Sequence, residues 1–189
     1  MSDSSRDLIA RARAGDADAF GQIYDEYAAR IFRFMLAQVR EPSDAEDLTS
    51  QVFLKAMRSL SRYEERGVPF GAWLFRIART TLIDSGRRAR PAVSLDQMSR
   101  LPPADDQRDA LATAADAVDI RAALDLLSPD QRDVILLRFF AELPVREVGL
   151  LLGKRQGTVA VLQHRALVRL RRHLGDERVW RPAGGEATA

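Results

Sequence analysis

The sequence contains no cysteine, which excludes disulfides, thiolate zinc sites and thiol nucleophiles and fits a reducing cytosol. Lysine is almost absent as well: only Lys55 and Lys154 are found among the 29 lysines and arginines. No stretch approaches the ~20 apolar residues that a membrane span needs, and the N-terminus lacks the apolar core of a signal peptide. These absences predict a cytoplasmic protein.

Groups that could build an active site are also scarce. The segment GKRQGT lacks the spacing of a phosphate-binding P-loop and follows no strand. His164 and His173 are the two histidines, and they lie too far apart to share a metal on one helical turn. Carboxylates occur at predicted helix starts, where capping explains them. We therefore predict no enzyme, with no catalytic residue, no metal site and no cofactor.

Apolar residues recur every three or four positions along most of the chain, which is the period of one helical face. No alternating strand of convincing length is present. Ser43 followed by Glu46 predicts a capping box at the start of one helix, and Gly86 predicts the end of the next. In the helix that begins near Ser43, the spacing of the apolar residues predicts a buried face made of Leu48, Val52, Phe53, Ala56 and Leu60.

Two folded units with a polar segment between them are predicted. Residues 5–90 form the first unit and residues 118–175 the second. Residues 91–117 are rich in proline, alanine and aspartate and too polar to bury a core, so they predict a flexible linker. Ser128, Pro129 and Gln131 have the order expected at a strong helix start. Residues 176–189 predict a frayed tail.

The second unit contains a stretch without any acid, GKRQGTVAVLQHRALVRLRRHL, although the chain has 27 acidic residues. A short helix that Gly153 closes precedes it, so the pair predicts a helix-turn-helix. On a helical wheel, Val159, Leu162, Ala166, Leu170 and Leu174 form a packing stripe, and Gln163 falls near it. The opposite face carries cations, which suit DNA phosphates, although a solvated basic helix end is the alternative interpretation.

The acid-free stretch resembles part of a bacterial RNA polymerase sigma factor of the extracytoplasmic-function (ECF) type. Two further segments share this resemblance, DAEDLTSQVFLKAMRSL and FGAWLFRIARTTLIDSGRRAR. The resemblance covers most of the chain. It implies an all-α fold of two small helical domains, a sigma region 2-like bundle and a C-terminal helix-turn-helix region 4-like domain, joined by a flexible linker. It also implies a subunit that binds core polymerase, recognises the −10 and −35 promoter elements and assists promoter melting.

The resemblance implies three sets of contact residues. Those for the coiled coil of the largest polymerase subunit are Asp44, Asp47, Leu48, Gln51 and Lys55. Those for the −10 element are Trp73, Arg76, Arg79, Thr80, Arg87 and Arg88, with Arg90 beside them. Those for the −35 element are Lys154, Arg155, Thr158, Ala160, Val161, His164 and Arg165. Trp73 is a candidate for base stacking, but its helical spacing with Phe70, Leu74 and Ile77 favours a core position.

The sequence departs from the family pattern at several of these positions. Ser50-Gln51 replaces the usual Gln-Glu, which removes one charge from the polymerase-facing helix. Thr80 replaces an asparagine, so it offers a hydroxyl in place of an amide. Ala160 and Val161 replace a lysine and a serine, which leaves readout of the −35 element to the neighbouring cations and to apolar contacts.

The partners implied are core RNA polymerase, through its coiled coil and flap, and promoter DNA. An anti-sigma protein is implied as well, and it would provide the one route to a membrane. A different class of function also fits the helix-turn-helix. The chain could be a stand-alone transcription regulator whose N-terminal unit senses a ligand or dimerises, in which case it would bind palindromic half-sites.

Overall fold

The computed structural model describes residues 3–39, 41–64, 67–88 and 122–174. Its elements are α1 (Asp3–Arg13), α2 (Ala17–Leu36), α3 (Pro42–Ser59), a 3-10 turn (Leu60–Arg62), α4 (Phe70–Arg88), α5 (Pro129–Ile135), a π-helix (Leu136–Phe140), α6 (Val145–Leu152) and α7 (Gln156–Leu174). No strand occurs within these described ranges, and the all-α class is confirmed. The predicted linker, residues 91–117, and the predicted tail, residues 176–189, lie outside the described residues, as does Arg90.

Helices α1 to α4 form the first unit, in which α2 packs against α1, α3 and α4. The apolar face of α3 is buried as its spacing predicts, with Val52 fully buried and Phe53 5% exposed. The Phe53 ring packs against Tyr24 of α2, with ring centroids 4.6 Å apart. One exposed face of α3 is therefore left free to point away from the bundle.

Two predicted helix boundaries in this unit are wrong. Helix α3 has Glu41 as its N-cap and Pro42 at its first position, without a side-chain cap, so the predicted capping box at Ser43 does not form. Proline has no N–H to satisfy and a fixed φ, which lets the helix begin before Ser43. Helix α4 continues through Gly86 to Arg88, because one glycine costs a helix only about 1 kcal/mol relative to alanine.

The second unit contains the predicted helix-turn-helix. Ser128 caps α5 in a full capping box with Gln131, and Pro129 lies at the first position, as predicted. Helix α5 continues directly into the π-helix. Gly153 ends α6 in the left-handed conformation, with φ of 65°, so the chain can turn into α7.

The two units are in contact, and their buried residues form one continuous apolar cluster. Helix α4 packs against α6, and α2 packs against the π-helix. The apolar stripe of α7 faces inward, with Val159 and Ala166 fully buried. The opposite face of α7 is consequently turned to solvent.

Thr81 of α4 is the basis of a stability prediction. Its side chain is 1% exposed, and its hydroxyl has no hydrogen-bond partner among the described residues. Valine has the same shape without the polar group, so Thr81→Val is expected to raise the free energy of unfolding by about 1 kcal/mol. Urea unfolding followed by circular dichroism measures the change.

Thr80 supplies the matched control. Its side chain is exposed, and its hydroxyl donates to the Ile77 carbonyl at 2.9 Å. Thr80→Val should change the free energy of unfolding by less than about 0.5 kcal/mol. A loss of stability in Thr81→Val would mean that the buried hydroxyl is satisfied after all.

Candidate nucleic-acid and polymerase interfaces

The exposed face of α7 collects most of the residues predicted to contact the −35 element. The exposed members of this set are Arg155, Thr158, Ala160, Val161, His164 and Arg165. Val161 is 49% exposed, so its methyl groups are available for an apolar contact on this face. Because the stretch from Gly153 to Leu174 contains no acid, this face opposes a polyanion with no repulsive group of its own.

Lys154, the remaining member of that set, is held at the start of α7. Its Nζ lies 2.9 Å from Asp130 Oδ2 of α5, and its side chain is 25% exposed. Exposed ion pairs of this kind contribute under about 1 kcal/mol, so the lysine can exchange the carboxylate for a phosphate. The sequence did not reveal the pair, because its partners are 24 residues apart.

Gln163 has a role that the sequence did not predict. Its Oε1 accepts a hydrogen bond from Arg138 Nε of the π-helix at 3.0 Å. Arg138 also donates through Nη1 to the Leu143 carbonyl. Burial lowers the pKa of the Arg138 guanidinium, and the two acceptors compensate for part of the desolvation of this cation. The pair ties α7 to the π-helix in the orientation that its buried stripe already requires.

Helix α4 presents part of the predicted −10 set. Arg76 and Thr80 are exposed. Arg79 is half-buried, and its Nη2 lies 2.7 Å from Asp133 Oδ2 of the second unit. Arg87 and Arg88 belong to the last turn of α4, and their side chains are outside the described part of the structure. Among the described side chains of this set, Arg76 is therefore the exposed cation, and it lies one helical turn before Thr80.

Trp73 is half-buried in an aromatic cluster. Its ring centroid lies 5.0 Å from that of Tyr63 and 5.2 Å from that of Phe70. Tyr63 is itself fixed, because its hydroxyl donates to the Val68 carbonyl at 3.0 Å. This packing agrees with the core position that the helical spacing favours.

On α3, the predicted polymerase-facing residues divide into two groups. Asp44, Asp47 and Gln51 are exposed. Lys55 is half-buried, and its Nζ lies 3.3 Å from Asp84 Oδ2 of α4. Leu48 is 5% exposed, because it completes the buried face of the helix, and its contact with polymerase stays a prediction.

Leu54 belongs to the exposed face of α3, although it is not among the residues predicted to contact polymerase. It follows Asp47 and Gln51 at helical spacing, and its side chain is 53% exposed. Its side chain adds apolar area beside the carboxylate and amide groups of this face. The signal available in the sequence was a leucine at a position outside the buried stripe.

Two further observations concern metal binding and membrane spans. No group of three metal-ligating side chains is found within the described ranges. None of the helices that the structure describes is both long enough and apolar enough to cross a membrane.

Comparison with known proteins assigns both units to one class of transcription protein. The Sigma-70 region 2 family model matches residues 23–91, and the Sigma-70 region 4 model matches residues 123–172. The chain is 36% identical over 181 residues to the ECF RNA polymerase sigma factor BldN of Streptomyces coelicolor, covering 93% of this chain and 69% of BldN. It is 33% identical over 174 residues to the ECF sigma factor SigD of Mycobacterium tuberculosis, covering 87% of this chain and 81% of SigD.

Two solved structures share the fold. CnrH, solved in complex with the cytosolic domain of CnrY, has a TM-score of 0.71 and 23% sequence identity to this chain. The match covers 94% of this chain and 100% of CnrH. RpoE, solved with the anti-sigma factor NepR from Bartonella quintana, has a TM-score of 0.61 and 25% identity, over 82% of this chain and 96% of RpoE.

The chain belongs to the ECF RNA polymerase sigma factor family. Its first unit is sigma-70 region 2 and its second is sigma-70 region 4. The sigma subunit role predicted from the resemblance is confirmed, and the stand-alone regulator is not favoured.

Proposed function

We propose that the chain directs core RNA polymerase to promoters through three surfaces: the exposed face of α3, the exposed face of α4 and the exposed face of α7. The observation that carries this assignment is the outer face of α7, where cations and exposed Val161 lie opposite a stripe whose members Val159 and Ala166 are fully buried. A helix with this arrangement can enter a major groove while its inner face remains packed.

Each surface has a separate task. The α7 face binds the −35 element, with the helix start and Arg155 on phosphate and His164 and Arg165 near base edges. The α4 face holds the −10 strand through Arg76 and Arg79. Melting follows from binding, because the capture of an unstacked base offsets the few kcal/mol that unstacking costs. No covalent bond is made or broken in this mechanism, so no catalytic residue is required.

The α3 face binds the coiled coil of the largest polymerase subunit. Asp44 and Asp47 supply charge, Gln51 supplies hydrogen bonds, and exposed Leu54 supplies apolar area. Because its partners are polymerase and promoter DNA, we place the protein in the cytoplasm. An anti-sigma protein is a further proposed partner, since the relative RpoE was solved bound to the anti-sigma factor NepR.

Run-off transcription with purified core polymerase tests the proposal. The reconstituted holoenzyme selects promoters from a random DNA library, so the selected sequences themselves reveal the consensus. We expect enrichment of two separated elements and transcription that depends on the added chain. Light scattering should show a monomer, whereas a stable dimer that protects a palindrome without polymerase would contradict the proposal.

Arg165→Ala is expected to weaken binding of the holoenzyme to the selected promoter about 10-fold, because it removes a cation from the centre of the α7 face. Fluorescence anisotropy with labelled promoter DNA measures the affinity. If Arg165 reads a base, the selected −35 sequence should also relax at one position; if it binds phosphate, all sequences weaken alike and the salt dependence becomes shallower.

The control is Arg13→Ala, the same truncation in the exposed last turn of α1. It changes the net charge equally and should leave promoter affinity within about twofold of the wild type. Equal losses in Arg13→Ala and Arg165→Ala would show that net charge, and not the α7 face, determines the affinity.

A further inference from the structure

The outer face of α7 has two valines along its centre. At about 100° per residue, Val161 and Val168 lie two turns apart, opposite the fully buried Val159 and Ala166. The side chains of Val161 and Val168 are 49% and 37% exposed. We refer to these two residues as the valine line. The centre of this face therefore presents methyl groups to a bound duplex.

Longer side chains that can donate hydrogen bonds flank the valine line on both sides. Arg165 and Arg172 lie along one side of it and His164 and Arg171 along the other, and all four are exposed. A major groove has a matching order, with phosphates at both edges and base edges on its floor. A helix that enters with this face points its valines at the floor, and the longer side chains reach out to either side.

The start of α7 can come close to the groove floor. Gly157 lies one turn before Val161 on the same side of the helix, and a Cβ built there meets no neighbouring atom within 4 Å. Exposed Ala160 adds only one methyl group beside Val161. In recognition helices the N-terminal residues contact the base edges. Val161 is therefore the valine nearest the bases, and Val168 lies about 10 Å further along α7 at 1.5 Å per residue.

Val161 is held in place before DNA binds. Besides its buried stripe, α7 is tied to its neighbours by Gln163, which accepts from Arg138 Nε at 3.0 Å, and by Lys154, whose Nζ lies 2.9 Å from Asp130 Oδ2. Valine is stiff as well, because a β-branched side chain strongly prefers one χ1 rotamer in a helix. An apolar contact with these methyl groups therefore costs little side-chain entropy.

The side chain of Val161 cannot donate or accept a hydrogen bond, so it can distinguish bases only by apolar contact. Thymine is the one standard base that presents a methyl group in the major groove, at its C5 atom. Donors and acceptors of other bases lose water against a valine without gaining a partner, which is unfavourable. Burial of a methyl group is favourable. The chemistry at this point of α7 therefore selects thymine.

We propose that Val161 is a specificity-determining residue that selects a thymine in the −35 element through contact with the C5 methyl group. This role of Val161 rests on the proposed function, because it names the base that the α7 face reads at one position. The contact buries about one methyl group of the base, so its loss should weaken promoter binding about 3- to 10-fold.

Deoxyuridine tests this contact directly, because it differs from thymidine only in lacking the C5 methyl group. In the promoter that the holoenzyme selects, each thymine of the −35 element is replaced in turn, on either strand, by deoxyuridine. Fluorescence anisotropy measures the affinity of the full-length chain in holoenzyme for each DNA. We expect at least one replacement to weaken binding by the wild type about 3- to 10-fold.

Two variants at position 161 complete the cycle. Val161→Ala should weaken binding to the thymine promoter by a similar factor, and its ratio of affinities for thymine and deoxyuridine DNA should fall close to one, because one partner of the contact is already removed. Val161→Ile keeps a branched apolar side chain and should retain the discrimination. The salt dependence of binding should be equal in the wild type and Val161→Ala, since no phosphate contact is lost. Circular dichroism confirms that each variant remains helical.

Val168→Ala is the matched control, because it is the same truncation at the other member of the valine line. It should keep the wild-type ratio for thymine and deoxyuridine DNA. If no replacement weakens the wild type, if the ratio persists in Val161→Ala, or if Val168→Ala loses it instead, Val161 does not read thymine. These outcomes leave the proposed function intact. A wild-type holoenzyme that selects no promoter would refute the proposed function, and the role of Val161 with it.

Discussion

Asp47→Arg is expected to lower the affinity of the chain for core polymerase about 10- to 100-fold, because it replaces an attractive charge with a like charge facing the partner. Asp47 is exposed on α3 between Asp44 and Gln51, so the substitution should not disturb the buried face of the helix. Biolayer interferometry with immobilised core polymerase measures the affinity. Circular dichroism should show unchanged helix content.

Asp25→Arg is the control for this experiment. Asp25 is exposed on α2, in the same unit, and its reversal changes the net charge by the same amount. Affinity for core should remain within about threefold of the wild type, the size of effect expected from a distant, screened charge. If Asp47→Arg leaves the affinity for core unchanged, α3 is not the docking helix.

Gly149→Leu is expected to lower the free energy of unfolding by about 2 kcal/mol or more. A Cβ added at Gly149 would lie 2.7 Å from the Lys154 carbonyl oxygen, a backbone atom that cannot rotate aside. Overpacking costs about 1–3 kcal/mol, and a clash with a fixed backbone oxygen belongs at the upper end of that range. Leucine gains only about 0.8 kcal/mol in helix propensity over glycine. The steric cost is larger, so the turn between α6 and α7 has to deform.

Urea unfolding followed by circular dichroism measures this loss, and binding to the −35 element should fall with it because α7 changes its orientation. Gly157→Leu is the matched control for stability, since no atom lies within 4 Å of a Cβ placed there. That variant should unfold within about 0.5 kcal/mol of the wild type or be more stable. Equal destabilisation of the two variants would contradict the steric argument.

Local patterns predicted the helical faces well, because each depends on neighbours within one or two turns. The buried face of α3, the capping box at Ser128 and the left-handed Gly153 all follow from nearby residues. The same reasoning was wrong at Ser43. Both Ser43 and Pro42 are residues that favour a helix start, and the helix begins at Pro42. Leu48 fitted both the core spacing and the family's contact pattern, and the structure assigns it to the core.

The interactions that the sequence did not predict are those between distant segments. Arg79 and Asp133 are 54 residues apart, and Arg33 and Glu142 are 109 apart. Nothing near any of these residues specifies its partner, because the pairing depends on how the two units are placed. The left-handed Glu142 had no signal either, since glycine and asparagine are the residues that usually indicate that conformation.

The hydrogen bond between Arg138 and Gln163 has a consequence for engineering sigma factors of altered promoter choice. A recognition helix transplanted into this scaffold with an aliphatic residue at position 163 would leave the Arg138 guanidinium without its side-chain acceptor. To exchange promoter preference between family members, positions 138 and 163 therefore have to be transplanted together. The transplanted segment must include the π-helix as well as the recognition helix α7.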